Sequence, residues 1–464
     1  MKTLLFRSPF LLIAILLFIF PAASYSQQKP DKIDQYIEIQ MRRQKIPGLS
    51  IAVVRDGKVI KARGYGLANL ETNTPATEKT VYKIASVSKQ FIAAGIMLLV
   101  REGKISLDDS VTKYITEAPD TWKPITIRHL LSHTSGLVRD IPNFDGLKVI
   151  SDTESIKSAF PAPFRFAPGT KWAYCNVGYY TLAEIIRRIS GKPWPDFFNE
   201  HIFMPVGMTQ TQTTNVYDII PNRANGYSPS KGGIENASVW YALRPSGGFI
   251  SSVLDMAKWD AALYSDNILK AATKEEMWRS VKLADGSDAK YGLGWFVDTV
   301  NGHRWIHHDG GVPGFNSNFD RYVDDGLSII ILCNWDDADI IKVSENVAGF
   351  YIPQLTPASE KAIEDSEPEI TTKVKKLIDG FIKADPDMSL FALDIAADLN
   401  DKVKKTMSFE LAASGKINSI TLVEKAVKDD KHTYRYRLDY KNDSFFFICT
   451  FDKNNKIVGF GTRD

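Results

Sequence analysis

Cysteine is scarce. The 464 residues hold three, Cys175, Cys333 and Cys449, an odd number spread too widely for a disulfide framework or a cysteine-ligated zinc cluster. The fold must therefore be held by its core, and 44% hydrophobic content is ample for a sizeable one. An excess of one charge is also lacking: 57 lysines and arginines face 55 aspartates and glutamates, a net charge of +2 that falls to about zero without Lys2 and Arg7. Nothing in that balance gives an electrostatic footprint for nucleic acid. Internal repeats and low-complexity tracts are absent, and after the N-terminus no apolar run is long enough to span a bilayer.

The N-terminus reads as an export signal. Lys2 and Arg7 precede an apolar run from Phe10 to Phe20, and the small residues Ala22, Ala23, Ser24 and Ser26 follow. The run is shorter than the roughly 20 residues of a spanning helix, and Pro9 and Pro21 bracket it. Cleavage is expected after Ser26, leaving a protein with no stable membrane insertion in the periplasm or outside the cell.

Two β-rich runs, Leu49 to Arg55 and Lys58 to Tyr65, meet at Asp56-Gly57, a hairpin signal. From Phe91 to Val100 an apolar run without breakers predicts a buried helix ending near Gly103. Further helices are expected at Ile127 to Ser132, Leu182 to Ser190, Pro195 to Phe203 and Asp255 to Leu263, with long loops such as Phe164 to Thr170 between them. Strands follow at Arg304 to His308, Asn316 to Tyr322 and Leu327 to Cys333, then a helix around Ile341 to Phe350. The simplest assembly is an α+β unit: an antiparallel sheet covered by terminal helices, with a helical region inserted between its strands. This unit is expected over residues 27–355, an acidic, breaker-rich linker over 356–372, and a small α+β accessory domain over 373–464, of cystatin-like or lipocalin-like type.

Three short elements carry candidate chemistry. Ser86 and Lys89 stand three apart, so on a helix the amine projects beside the hydroxyl and can activate it. The same spacing occurs at Ser228–Lys231 and Ser287–Lys290, but prolines and glycines there predict turns; only Ser86 opens a buried helix, whose positive end favours negative charge. Tyr174-Cys175-Asn176 is the second element. Its tyrosine can accept the Ser86 proton if Lys89 lowers its pKa, and its asparagine amide can hold both Lys89 and a substrate carbonyl. A copy of this spacing at Tyr440-Lys441-Asn442 reads as alternating surface residues of a strand. In the third element, His308-Asp309-Gly310-Gly311, the glycines permit close backbone approach, the Gly311 amide can pair with that of Ser86 as an oxyanion hole, and His308 can donate a hydrogen bond to substrate or leaving group. Adjacent residues on a strand face opposite sides, so His307, His308 and Asp309 are not expected to bind a metal. No cofactor is expected.

In order, these elements resemble the S-x-x-K, Y-x-N and H-x-G motifs of the class C β-lactamase-like serine hydrolases. Thr126 to Leu137, Pro245-Ser246-Gly247-Gly248 and Tyr291-Gly292-Leu293-Gly294-Trp295 strengthen the likeness, which covers roughly Ile33 to Phe350. The resemblance implies an acyl-enzyme route: Ser86 attacks a carbonyl, Lys89 and Tyr174 share the acid and base duties in an order left open, and the Ser86 and Gly311 amides stabilise the oxyanion. Asn176, His308 and Gly310 are implied to bind substrate; His129 and His133 are implied to be structural. Two departures stand out. The Lys-Thr-Gly of true class C β-lactamases is missing, since Lys231-Gly232-Gly233 lies in the wrong context, and Cys175, expected as a packed neutral thiol, replaces a small hydroxyl residue.

The leading expectation is hydrolysis of an ester or of an amide in a small peptide, including peptides with D-amino acids. A β-lactamase or D-Ala-D-Ala carboxypeptidase is the first alternative, and a catalytically silent protein that binds cell-wall fragments is the second. No protein partner of the accessory domain is legible.

Overall fold

Asp56 and Gly57 both adopt positive φ, 49° and 72°, the conformation that a two-residue hairpin joining twisted strands requires. They link β1 (Gly48–Arg55) to β2 (Lys58–Asn69), and β3 (Thr74–Pro75) extends the edge. After a long helical insertion come β4 (Phe296–Val300), β5 (His303–Val312), β6 (Phe315–Tyr322) and β7 (Leu327–Cys333). The seven strands form one sheet in the order β3-β2-β1-β7-β6-β5-β4, with β1 pairing antiparallel to both β2 and β7. This computed structural model describes residues 31–463 apart from 214–217, 240–244, 357–359, 429 and 442; the expected export signal lies outside the described residues.

β1 and β7 are apolar at almost every position because both sheet faces are covered. On one face Ile51, Val53, Ile329 and Ile331 join a core with α1 (Lys32–Gln44) and the later helix Ile340–Gly349. On the other, Ala52, Val54, Ile330 and Leu332 join the larger core of the inserted region, which includes Phe91 and Ile92 of α2 (Lys89–Arg101). Each such buried aliphatic or aromatic side chain contributes about 1.5–3 kcal/mol. The expected sheet with terminal helices and a helical insertion is the one observed. Within the insertion, the segment expected as a single helix to Phe203 is α-helical only over Trp194–Phe198 and π-helical over Asn199–Phe203.

The C-terminal part is α+β. A helix at Pro368–Ile382 and another at Asp401–Ala413 cover one face of an antiparallel sheet formed by β8 (Ser419–Lys428), β9 (Lys431–Asp439), β10 (Ser444–Phe451) and β11 (Ile457–Arg463). Among the described residues these four strands stand in an open row, unlike the closed barrel of the lipocalin-like alternative. The Pro368 helix begins inside the stretch read as linker, because a proline counted there as a breaker is tolerated in the first turn, where its missing N–H breaks no bond. Upstream, Glu360 accepts two hydrogen bonds from Arg435, at 3.0 and 2.8 Å, fastening that stretch to the sheet. Tyr440 also departs from expectation: it is buried, and its hydroxyl donates to the Leu411 carbonyl at 2.9 Å. Asn442 lies outside the described residues. Arg43 of α1 faces Asp443 at 3.6 Å and covers the Phe445 ring, joining this unit to the first.

Among the described residues no helix is long and apolar enough to cross a membrane.

Candidate active site

Ser86 does not sit in the α-helix itself. Ala85 has φ of 45°, a left-handed conformation unusual for a residue with a Cβ, and it turns the chain sharply before Ser86. One 3₁₀ turn, Ala85–Ser88, then leads into α2. In a 3₁₀ turn residues three apart eclipse one another, which sets Lys89 over Ser86. The Lys89 Nζ lies 3.1 Å from the Ser86 Oγ, 2.9 Å from the Asn176 Oδ1 and 2.8 Å from the Ser246 carbonyl oxygen.

Lys89 is completely buried and, among the described residues, has no carboxylate within ion-pair distance. Burial therefore lowers its pKa from 10.5 to about 7, with Asp140 the main opposing charge. A neutral amine has one lone pair and two hydrogens. It can donate to Asn176 and Ser246 while accepting the Ser86 proton, so the cage that holds the ammonium also suits the base.

Tyr174 lies beneath the same ammonium, its ring centroid 4.7 Å from Nζ. The hydroxyl is buried without a hydrogen bond of normal geometry, and burial raises its pKa, an effect that the nearby Ser86 hydroxyl only partly offsets. The condition set for a Tyr174 base, a pKa lowered by Lys89, is not met: desolvation favours the neutral form of both groups. The neighbouring Asn176 starts the helix Asn176–Ser190, capped by Cys175, whose sulfur accepts from the Gly178 N–H at 3.4 Å. Burial pushes the Cys175 thiol up to about 11, which keeps it neutral. Asn176 holds Lys89 with its oxygen and donates from Nδ2 to Asp140 at 2.7 Å, leaving one amide hydrogen for a ligand.

His133 packs at a tilt against the Tyr174 ring, 4.3 Å between centroids, and accepts the Cys175 N–H at 3.1 Å, so it braces the tyrosine from behind. His129 accepts the Thr126 N–H at 3.2 Å in a helix cap. Of the competing serines, Ser228 bonds to Asp336 from a hairpin strand, and Ser287 to Asp285 within a turn.

Strand β5 closes the site from the other side. A Cβ on Gly310 would lie 2.7 Å from the Ser86 nitrogen and 2.6 Å from the Ile84 carbonyl oxygen, so only glycine admits the nucleophile's backbone at this point. Gly311 follows on the same strand, opposite Asn316. Gly310→Ala is expected to displace Ser86 and slow its acylation by about 100-fold, the cost of an ångström-scale misplacement, as read from the rate of fluorophosphonate labelling.

His308 departs from its expected part. Its Nδ1 is 2.6 Å from the Asp309 carbonyl oxygen and must carry the proton; its Nε2, 2.9 Å from the Tyr291 hydroxyl, then accepts. Burial, with Lys89 nearby, lowers the imidazole pKa to about 3. The ring is neutral and both nitrogens are occupied, so in this arrangement it has no N–H to offer a substrate; it buttresses Tyr291. His307 lies apart, stacked on Trp305 with its Nε2 3.3 Å from Asp298.

Three participants went unassigned in the sequence. Ser246 and Tyr291 fall in stretches that were singled out without a role, while Asp140 carried no signal at all.

A family model described as Beta-lactamase matches residues 33–347. Penicillin-binding protein 4* of Bacillus subtilis (strain 168) is 29% identical over 325 residues, covering 64% of this chain and 71% of that protein. The octameric penicillin-binding protein homologue from Pyrococcus abyssi superposes with a TM-score of 0.65 at 22% identity, over 91% of this chain and 96% of its own. D-amino acid amidase from Ochrobactrum anthropi SV3, complexed with L-phenylalanine amide, gives a TM-score of 0.60 at 25% identity, over 70% and 97%.

Proposed function

This chain belongs to the beta-lactamase family and is a serine hydrolase, and we propose that it cleaves an ester or a small-peptide amide, D-amino-acid peptides included, through an acyl-enzyme on Ser86. The observation that carries this reading is the fully buried Lys89 amine, 3.1 Å from the Ser86 hydroxyl and with a pKa near the physiological range. Neutral Lys89 takes the Ser86 proton as the oxygen attacks the substrate carbonyl. The Ser86 and Gly311 amides receive the oxyanion, and the remaining Asn176 amide hydrogen is free to position the substrate. Tyr174, neutral and next to the nucleophile, passes a proton to the leaving group and regains one through Lys89. Water then attacks the ester carbonyl by the reverse path and releases the acid.

The similarity to a D-amino acid amidase supports the amide branch. The missing lysine of the third motif and the occupied, neutral His308 weigh against efficient turnover of β-lactams. A panel of D- and L-phenylalanine amides, short-chain 4-nitrophenyl esters and nitrocefin tests this. Turnover of an ester or a D-amide with kcat/KM at least about tenfold above nitrocefin is the expected result, a margin worth 1.4 kcal/mol. Nitrocefin as the best substrate would transfer the assignment to β-lactamase.

A further inference from the structure

Arg139 is placed for recognition. Its backbone is pinned to the second motif, for the Arg139 carbonyl accepts the Asn176 N–H at 2.7 Å. Its guanidinium lies over the Tyr174 ring, 5.3 Å from the centroid, yet the side chain is 64% exposed. One carboxylate approaches it: the Asp140 Oδ2 pairs with Nε at 3.4 Å, while the Asp140 Oδ1 accepts from the Asn176 amide. The guanidinium thus stands largely exposed beside the Tyr174 ring, which itself lies 4.7 Å from the Lys89 Nζ, with Asp140 as its ion-pair partner.

Neither Lys89 nor His308 is placed to read an anion. Lys89 is sealed from solvent and spends its hydrogens on Ser86, Asn176 and Ser246, and His308 is buried with both nitrogens occupied. A planar, always charged, largely exposed guanidinium suits bidentate capture of a carboxylate.

We infer that Arg139 selects substrates bearing a carboxylate close to the scissile bond, holding that group at the mouth while the carbonyl lies on Ser86. This rests on the serine hydrolase reading and narrows its substrate class to anionic esters and peptides.

The test compares 4-nitrophenyl esters of succinic and glutaric acid with the matching esters in which the free carboxylate is a carboxamide. Wild-type protein should prefer the acids by about tenfold to a hundredfold in kcat/KM, mostly through KM, as expected for one charge-assisted pair. In Arg139→Gln the ratio should fall to near one, in Arg139→Lys part of it should return, and added salt should shrink it in the wild type. An equal rate for acid and amide in wild-type protein, or a preference that survives Arg139→Gln, overturns the inference. So does an equal loss on both substrates with a shifted pH midpoint, which would make Arg139 a modulator of Lys89 alone. Fluorophosphonate labelling of Ser86 in each variant separates the two levels: without it the nucleophile assignment itself fails, whereas a flat ratio with labelling intact bears only on Arg139.

Discussion

Ser86→Ala is expected to lower hydrolysis of the best ester by about 10⁴-fold or more, the scale seen when an acyl-enzyme nucleophile is removed. Nothing else at the site replaces it. Cys175, the other nucleophilic atom within the cluster, is a buried neutral thiol whose sulfur is engaged with the Val138 carbonyl and the Gly178 amide. Ser88 faces inward and accepts the Phe249 N–H at 3.2 Å. Removing one partly buried hydroxyl leaves the apolar core intact, so the thermal midpoint should stay within about 2 °C of wild type, as for a change below about 0.5 kcal/mol. Retained turnover in a folded variant would mean that another group forms the covalent bond.

The second large effect concerns pH. Burial lowers Lys89 to about 7, so its neutral form rises from about a tenth of the population one unit below that value to about nine-tenths one unit above it. Acylation should therefore climb through a midpoint near neutrality. A tyrosinate base would instead place the rise in strongly alkaline solution, because burial raises Tyr174. His308, lowered to about 3, adds no step in this range. Lys89→Gln should reduce acylation by about 10³-fold, within the range of general-base contributions, and flatten the pH profile. Linkage adds a stability signature. The unfolded lysine keeps its proton up to about 10.5 while the folded one loses it above about 7, so the unfolded state binds more protons between these values. Stability contributed at this position rises with pH across that window and is lost as pH falls through 7. Urea midpoints of wild type and Lys89→Gln across this range measure it.

What the sequence revealed was mostly local. The Asp56-Gly57 hairpin, the continuous apolar strands and the Ser86–Lys89 spacing all depend on neighbours a few residues away, and all three have direct structural counterparts. The site's electrical character was hidden, because it depends on contacts distant along the chain. A backbone carbonyl bears no sequence mark, so the bond from Lys89 to Ser246 could not be anticipated. Nor could the position of Asp140 beneath Asn176. His308 was given a ligand-facing N–H; Tyr291 and the Asp309 carbonyl had already claimed both nitrogens. Pro368 misled for a different reason, since proline stops a helix from within and favours one at its start.

Activation of Ser86 by a desolvated Lys89 ties acylation to both residues and to pH. Intact-mass spectrometry after fluorophosphonate treatment of wild-type and Ser86→Ala protein, timed at about pH 6 and about pH 8, tests it directly. The predicted result is a single adduct, lost in Ser86→Ala, that forms about tenfold faster at the higher pH. An adduct that persists in Ser86→Ala, or one that forms at the same rate at both pH values, would contradict it.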